Sequence, residues 1–250
     1  MTELRAPFPN TAFASLAAQE SRHWWFRSRN RIILWAMKKH IRNFNSFLEV
    51  GCGTAFVLEG VSNQFPGIEI SGSEYFEEGL VHARNRLPTA NFMHLDATKM
   101  SDESRYDVIG TFDVIEHIEE DQLVLNNLAK AIKPGGTLLV SVPQHRWLWS
   151  EADTYACHVR RYTRQELISK VEKSGLKVEY ATSFVTFLVP LMWLSRKKTK
   201  SGEYDPMQEF RIPSWLNFAL ESVMKLELLL LKAGINLPVG GSLLLVANKK

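Results

Sequence analysis

The chain has 250 residues, 45% of them hydrophobic, enough for one large domain with a buried core and some attachments. Thirty basic against 27 acidic side chains leave a net charge of +3, which lacks the basic excess of a dedicated nucleic-acid binder. Cys52 and Cys157 alone make no disulfide framework, MTELRAPFPN has no signal-peptide core, and no stretch reaches the roughly 20 apolar residues of a spanning helix. A cytoplasmic protein is the expectation.

From Ala12 to about Arg42 the spacing of Trp25, Ile32, Ile33, Ala36 and His40 or Ile41 predicts a helix, unusually aromatic and basic at HWWFRSRN. A strand at Phe47 to Val50 and a helix after Thr54 follow. Next come a strand at IEISGSE, a helix through EGLVHARNRL, and strands at NFMHLDA and YDVIGTFDV. A helix from about Asp121 to Ile132 is stopped by KPGG, and TLLVSVP is the next strand. Strand and helix alternate with short connections, so the class is α/β with a mostly parallel sheet covered on both faces.

The tail breaks this alternation. TRQELISKVEKSG has Thr163 as N-cap, Glu166 three residues on and a closing Gly175, the punctuation of a helix. LKVEYATSF reads as a strand and GGSLLLVANKK as the last one. Between them lie the apolar FVTFLVPLMWL, a polar stretch, and a leucine-rich helix from Ser214 to about Lys232. The expected division is a helical cap over 1–43, a core over 44–184, a helical insertion over 185–240 and a final core strand over 241–250.

FLEVGCGTAFVL carries a glycine turn where open α/β sheets bind nucleotides. A dinucleotide fingerprint wants a third glycine where this chain has Phe56, so an NAD dehydrogenase is disfavoured. Glu49, Gly51, Gly53 and Ala55 fit better as a turn headed by a carboxylate, which suits a cation such as the amine of S-adenosylmethionine (SAM). Glu74 ends the second strand, placed for ribose hydroxyls. Asp96, followed by Ala97, ends the third, placed for an adenine amino group, and Asp113 closes the fourth near the methionine portion. Cys52 and Tyr75 adjoin these positions, and Trp25 suits a sulfonium through its aromatic face. Arg27 and Arg29 are candidates for the SAM carboxylate or the acceptor.

With EVGCGTA, SGSE, LDAT, FDVIEH and AIKPGGTLLVSVP in this order, the chain resembles class I SAM-dependent methyltransferases, of the small-molecule type found in the ubiquinone pathway. The resemblance covers about Phe44 to Tyr180 and the last strand. It implies a Rossmann-like, seven-stranded sheet whose last strand runs antiparallel beside LKVEYATSF. It also implies SAM across the strand ends, with S-adenosylhomocysteine as product. Phe56, Glu59 and the insertion depart from the pattern and bear on the acceptor pocket.

In-line methyl transfer mostly needs alignment, and an oxygen acceptor also needs a base. His117 and His158 are the candidates, with His145 beside the acceptor. In HVRRYT, Arg160, Arg161 and Tyr162 suit an anionic or phenolic acceptor or, alternatively, pack against nearby acids. HxRRYTxxEL resembles a segment of bacterial methyltransferases that modify small molecules or the envelope. Asp113, Glu116 and His117, with His158, also resemble the metal ligands of ubiquinone-pathway and small-RNA 2′-O-methyltransferases, with Asp113 shortening the first reach.

In the insertion, FVTFLVPLMWLSRKKTK joins an apolar wedge to Arg196, Lys197, Lys198 and Lys200, which suits an anionic membrane surface; a homodimer interface or core packing is the alternative. The expected activity is O-methylation of a small or amphiphilic metabolite. RNA or protein methylation and a non-catalytic SAM- or nucleotide-binding module are the rivals.

Overall fold

The computed structural model describes residues 12–197 and 211–250. Seven strands form one sheet: β1 (Ser46–Val50), β2 (Glu69–Glu74), β3 (Asn91–His94), β4 (Tyr106–Phe112), β5 (Ile132–Pro143), β6 (Leu176–Phe184) and β7 (Ser242–Lys249). Their order is β3-β2-β1-β4-β5-β7-β6. β7 runs antiparallel to both β5 and β6, so the last segment of the chain closes the sheet from within rather than at its edge.

Each central strand is apolar on both faces because it is covered twice. Successive residues alternate between the two cores. Phe47, Val108, Leu139 and Leu244 face the core under α2 (Trp24–His40) and α3 (Phe56–Gln64). Leu48, Ile109, Leu138 and Leu245 face the core under α5 (Asp121–Ala131) and α7 (Arg164–Lys173). That period of two inside continuous apolar runs is the mark of a doubly covered sheet.

Two sequence expectations are corrected. The N-terminal helix is two: α1 (Ala12–Gln19) and α2, separated at Glu20 to His23, where the His23 side chain caps α2 by accepting from the Trp25 amide at 3.3 Å. Helical apolar spacing persists across the break, which is why it reads as continuous. KPGG does not precede β5 but lies within it, with Gly135 at φ +77 and a register shift against β4. In the insertion, α9 (Ser214–Lys232) forms as expected, and the apolar wedge, to which the sequence assigned no element of its own, contributes the helix α8 (Val189–Lys197); Lys198 and Lys200 lie outside the described residues. No helix among the described residues is long and apolar enough to cross a membrane.

Candidate functional site

The order in which strands join the sheet reverses between the parallel neighbours β1 and β4, and the crevice outside their C-terminal ends is where such sheets receive ligands. The turn after β1 folds back on β2, with the Gly51 and Cys52 amides both donating to the Ser73 carbonyl at 2.8 and 2.9 Å. Gly51 has φ +73, and a Cβ there would lie 2.3 Å from Val114 Cγ2, so no larger residue fits. Gly53 has φ +53, but its missing Cβ would meet nothing within 4 Å, so this position opens into space. Cys52 is buried beneath the turn.

The acids stand where the sequence places them. Glu74 accepts from the Gly53 amide at 2.9 Å with one oxygen and from the Tyr75 and Phe76 amides at 2.8 and 3.1 Å with the other. Burial raises its pKa against those three donors. Asp96 caps a short turn through the amide and hydroxyl of Thr98 and meets Lys99 at 3.2 Å; burial is outweighed and its carboxyl lies below the usual range. Ala97 is buried beside it, and Tyr75 is exposed at the rim.

Glu49 is 2% exposed, and its Oε2 has no hydrogen-bond partner among the described residues. Burial pushes its carboxyl up to about 8, despite Arg29 nearby. Arg29 Nε lies 2.8 Å from Asp113 Oδ2, its Nη2 donates to the Phe112 carbonyl at 3.2 Å, and its guanidinium sits 4.9 Å from the Trp25 ring centre. One guanidinium thus faces Glu49, Asp113 and Glu116. The crevice has an orphaned carboxylate oxygen, an excess of acid and an open glycine cradle, and these suit the ammonium and sulfonium of SAM.

The sequence reading missed one network. Glu20, at the break between α1 and α2, accepts from the Thr54 hydroxyl and from Arg86, which also donates to the Thr54 carbonyl at 3.0 Å. This ties the N-terminal cap across the glycine turn to α4 (Glu77–Arg86). No spacing signal links residues so far apart in sequence. Arg27, a candidate for the SAM carboxylate or the acceptor, pairs with Glu221 of α9 at 3.2 Å.

A family model described as "Methyltransferase domain" matches residues 48–138, the stretch that carries this turn and the four strand-end acids. A Mycolicibacterium smegmatis protein named "Probable S-adenosylmethionine-dependent methyltransferase" is 25% identical over 179 residues, covering 70% of this chain and 68% of that protein. A ubiquinone biosynthesis O-methyltransferase of Rickettsia bellii is 26% identical over 119 residues, covering 45% of this chain and about half, 49%, of that protein. The chain carries a SAM-dependent methyltransferase domain. The fold agrees: phosphoethanolamine N-methyltransferase 2 of Haemonchus contortus, solved with SAM, superposes with a TM-score of 0.65 at 15% identity, over 98% of this chain and 58% of that one.

Beyond the cofactor crevice, the methyltransferase gathers Glu116, His117 and His158, with one ligand-capable atom of each within 4.8 Å of the others. Asp113 is not in this group, being paired with Arg29, which corrects the expected ligand set. Glu116 is fully buried with both carboxylate oxygens unpartnered among the described residues, and burial and Asp113 push its pKa well up. His117 lies between the carbonyls of Ala156 and Asp113, and burial and His158 lower its pKa to about 3, so it stays neutral. The His117 and His158 rings meet edge to face, 4.6 Å between centres. His158 Nδ1 is 2.9 Å from Asp153 Oδ1.

Three side chains of HVRRYT, Arg160, Arg161 and Tyr162, are engaged within the framework. Arg161 is buried and clamps Asp153 with two bonds, at 2.7 and 3.0 Å. Tyr162 is 1% exposed and donates to Asp121 at 2.7 Å; burial and that carboxylate raise its pKa far above the phenol range. Arg160 pairs with Asp121 and Glu119, each within 2.8 Å. The sequence left acceptor binding and packing against nearby acids both open for these three; their charge and hydroxyl are used internally, as in the second. The three also line a cavity of about 460 Å³, together with Arg146, Trp149 and Lys170, and none of the strand-end acids lines it. His145 takes a left-handed conformation, φ 64, and stacks on Trp147 at 5.2 Å; burial and Arg161 lower its pKa.

Proposed function

We propose that this methyltransferase O-methylates a small or amphiphilic metabolite with His158 as general base. The carrying observation is the Asp153–His158 pair: Nδ1 is directed at the carboxylate at 2.9 Å, which leaves Nε2 as the proton acceptor. Asp153 is itself held by Arg161 and by the amide and hydroxyl of Ser150, so the imidazole has one tautomer and one orientation. SAM supplies an electrophilic methyl on a sulfonium. Glu74 would hold its ribose hydroxyls, Asp96 its adenine, Glu49 its ammonium and Arg29 its carboxylate. The O-methyltransferase relative supports oxygen as the acceptor atom.

His158→Asn should lower kcat by about 10²–10⁴-fold while the SAM Kd, read by calorimetry, stays within twofold. Unchanged kcat would remove the base. The acceptor is sought by transfer of labelled methyl into cell extract, with organic, polar and macromolecular fractions counted separately. Label only in RNA or protein would overturn the metabolite reading, and no label above a Gly53→Arg control would favour a binding module.

The unpartnered Glu116 oxygens beside two imidazoles support a second reading, a metal that orients a diol acceptor. Full activity in excess chelator excludes it; loss restored by magnesium or manganese supports it.

A further inference from the structure

α9 is built inside out. A helix that packs on a water-soluble domain turns its apolar face inward and its charges outward. Here the two acids of the helix are its most enclosed side chains together with Met224 and Leu231: Glu221 is 4% exposed and Glu227 is fully buried. Glu221 meets Arg27 and Arg31 of α2, and Glu227 accepts from the Thr186 and Phe187 amides at 2.8 and 3.3 Å. The opposite face carries Trp215, Phe218, Leu226 and Leu229, between 53% and 72% exposed. The charges beside that face are Lys225, exposed but 3.7 Å from Glu221, and the exposed Lys232.

Neighbouring elements carry exposed apolar side chains as well. Phe187, Leu191, Trp193 and Leu194, on and just before α8, are each more than 40% exposed. α8 packs against the turn Arg146–Leu148 after β5, where Trp147 and Trp149 are also exposed. Four of the seven tryptophans of the chain therefore lie at the surface, all on segments that follow β5 or belong to the insertion. The surface lies close to the cofactor crevice. Asn217 at the start of α9 accepts from the Trp24 amide at 2.8 Å and donates to the Arg22 carbonyl at 3.0 Å, and α2 carries Arg29 to the end of β4.

We infer that this face, the exposed side of α9 with α8, docks onto an anionic phospholipid bilayer and sets the crevice at the membrane surface. Tryptophan and phenylalanine at the acyl–headgroup boundary, with lysine as the charge beside them on α9 and the two carboxylates of that helix withdrawn, are the two signals that such a surface selects. A second copy of the chain fits less well, since a self-complementary pairing through α9 would bring lysines together while both carboxylates of the helix are buried and bound within the chain. The inference does not depend on methyl transfer to oxygen, because vesicle binding is read without turnover.

The test is sedimentation of the full chain with vesicles of phosphatidylglycerol and phosphatidylcholine, against phosphatidylcholine alone, at low and high salt. SAM binding and thermal melting are followed on the same samples. The inference expects binding to the anionic vesicles that weakens at least tenfold with high salt or without the anionic lipid. It also expects at least tenfold loss in Trp215→Glu/Phe218→Glu and in Leu226→Glu/Leu229→Glu, with melting and SAM affinity retained. Wild-type protein that binds SAM but stays in the supernatant overturns it. So does binding unaffected by both double variants, or a dimer in sedimentation velocity that the variants dissociate.

Discussion

Replacing Glu49 by Gln tests whether the buried carboxyl at the end of β1 is the cation site of the crevice. In the ligand-free protein its pKa is about 8, against an ordinary 4.5, because burial disfavours the charged form. At pH 7 that leaves the group roughly 90% protonated. If SAM brings an ammonium beside it and restores an ordinary pKa, binding releases about 0.9 proton at pH 7, and Kd falls up to about tenfold per pH unit between roughly pH 5 and 8. The full coupling over that interval is about 5 kcal/mol at most. Calorimetry of SAM binding in buffers of different ionisation enthalpy counts the protons directly. Glu49→Gln should abolish the release and flatten the slope; the titration of SAM's own amine is common to both proteins and cancels in the comparison. The folding sign is independent of ligand. A raised carboxyl pKa stabilises the fold below about pH 4.5 relative to higher pH, and that advantage is lost as pH rises towards 8, so wild-type melting should fall across this range more than that of the variant. Equal proton release from wild type and variant would refute the assignment.

Gly51→Ala should both destabilise the fold and weaken SAM binding at least tenfold, since its Cβ would meet Val114 at 2.3 Å in a left-handed backbone; Gly53→Ala, with open space, should cost only about 1 kcal/mol of stability, and thermal melting with SAM titration separates the two. Tyr162→Phe removes a buried hydrogen bond to Asp121, so it should cost about 1–3 kcal/mol, or roughly 2–4 °C in Tm per kcal/mol, while kcat per folded molecule is retained. A Tyr162→Phe variant that is fully stable but inactive would return this hydroxyl to the acceptor site.

What was legible in sequence was local or strictly ordered. The alternating elements, the glycine turn and the acids at the strand ends each depend on residues within one βα unit, so Glu49, Glu74, Asp96 and Asp113 arrive at one sheet edge wherever the sheet forms at all. The capping box of α7 is likewise complete within four residues, Thr163 and Glu166 bonding each other's backbone. HVRRYT stayed ambiguous in sequence for the complementary reason. Arginine and tyrosine look the same in sequence whether they meet a ligand or a buried acid, and Asp153 and Asp121, which take up Arg161 and Tyr162, are identified only when α5, the Ser150 turn and β5 pack together.

The sequence by itself determined the fold class, the order of strands and helices and the cofactor, because hydrophobic period and the chemistry of a strand-end turn act over a few residues. Only the tertiary structure decided that Arg29 answers Asp113, that Glu20 and Arg86 close over Thr54, that His158 is aimed by Asp153, and that α9 turns its glutamates inward and its tryptophan outward. Those are pairings between distant segments. Their partners are chosen by which charged groups lose their water together when the layers close, and no spacing along the chain records that.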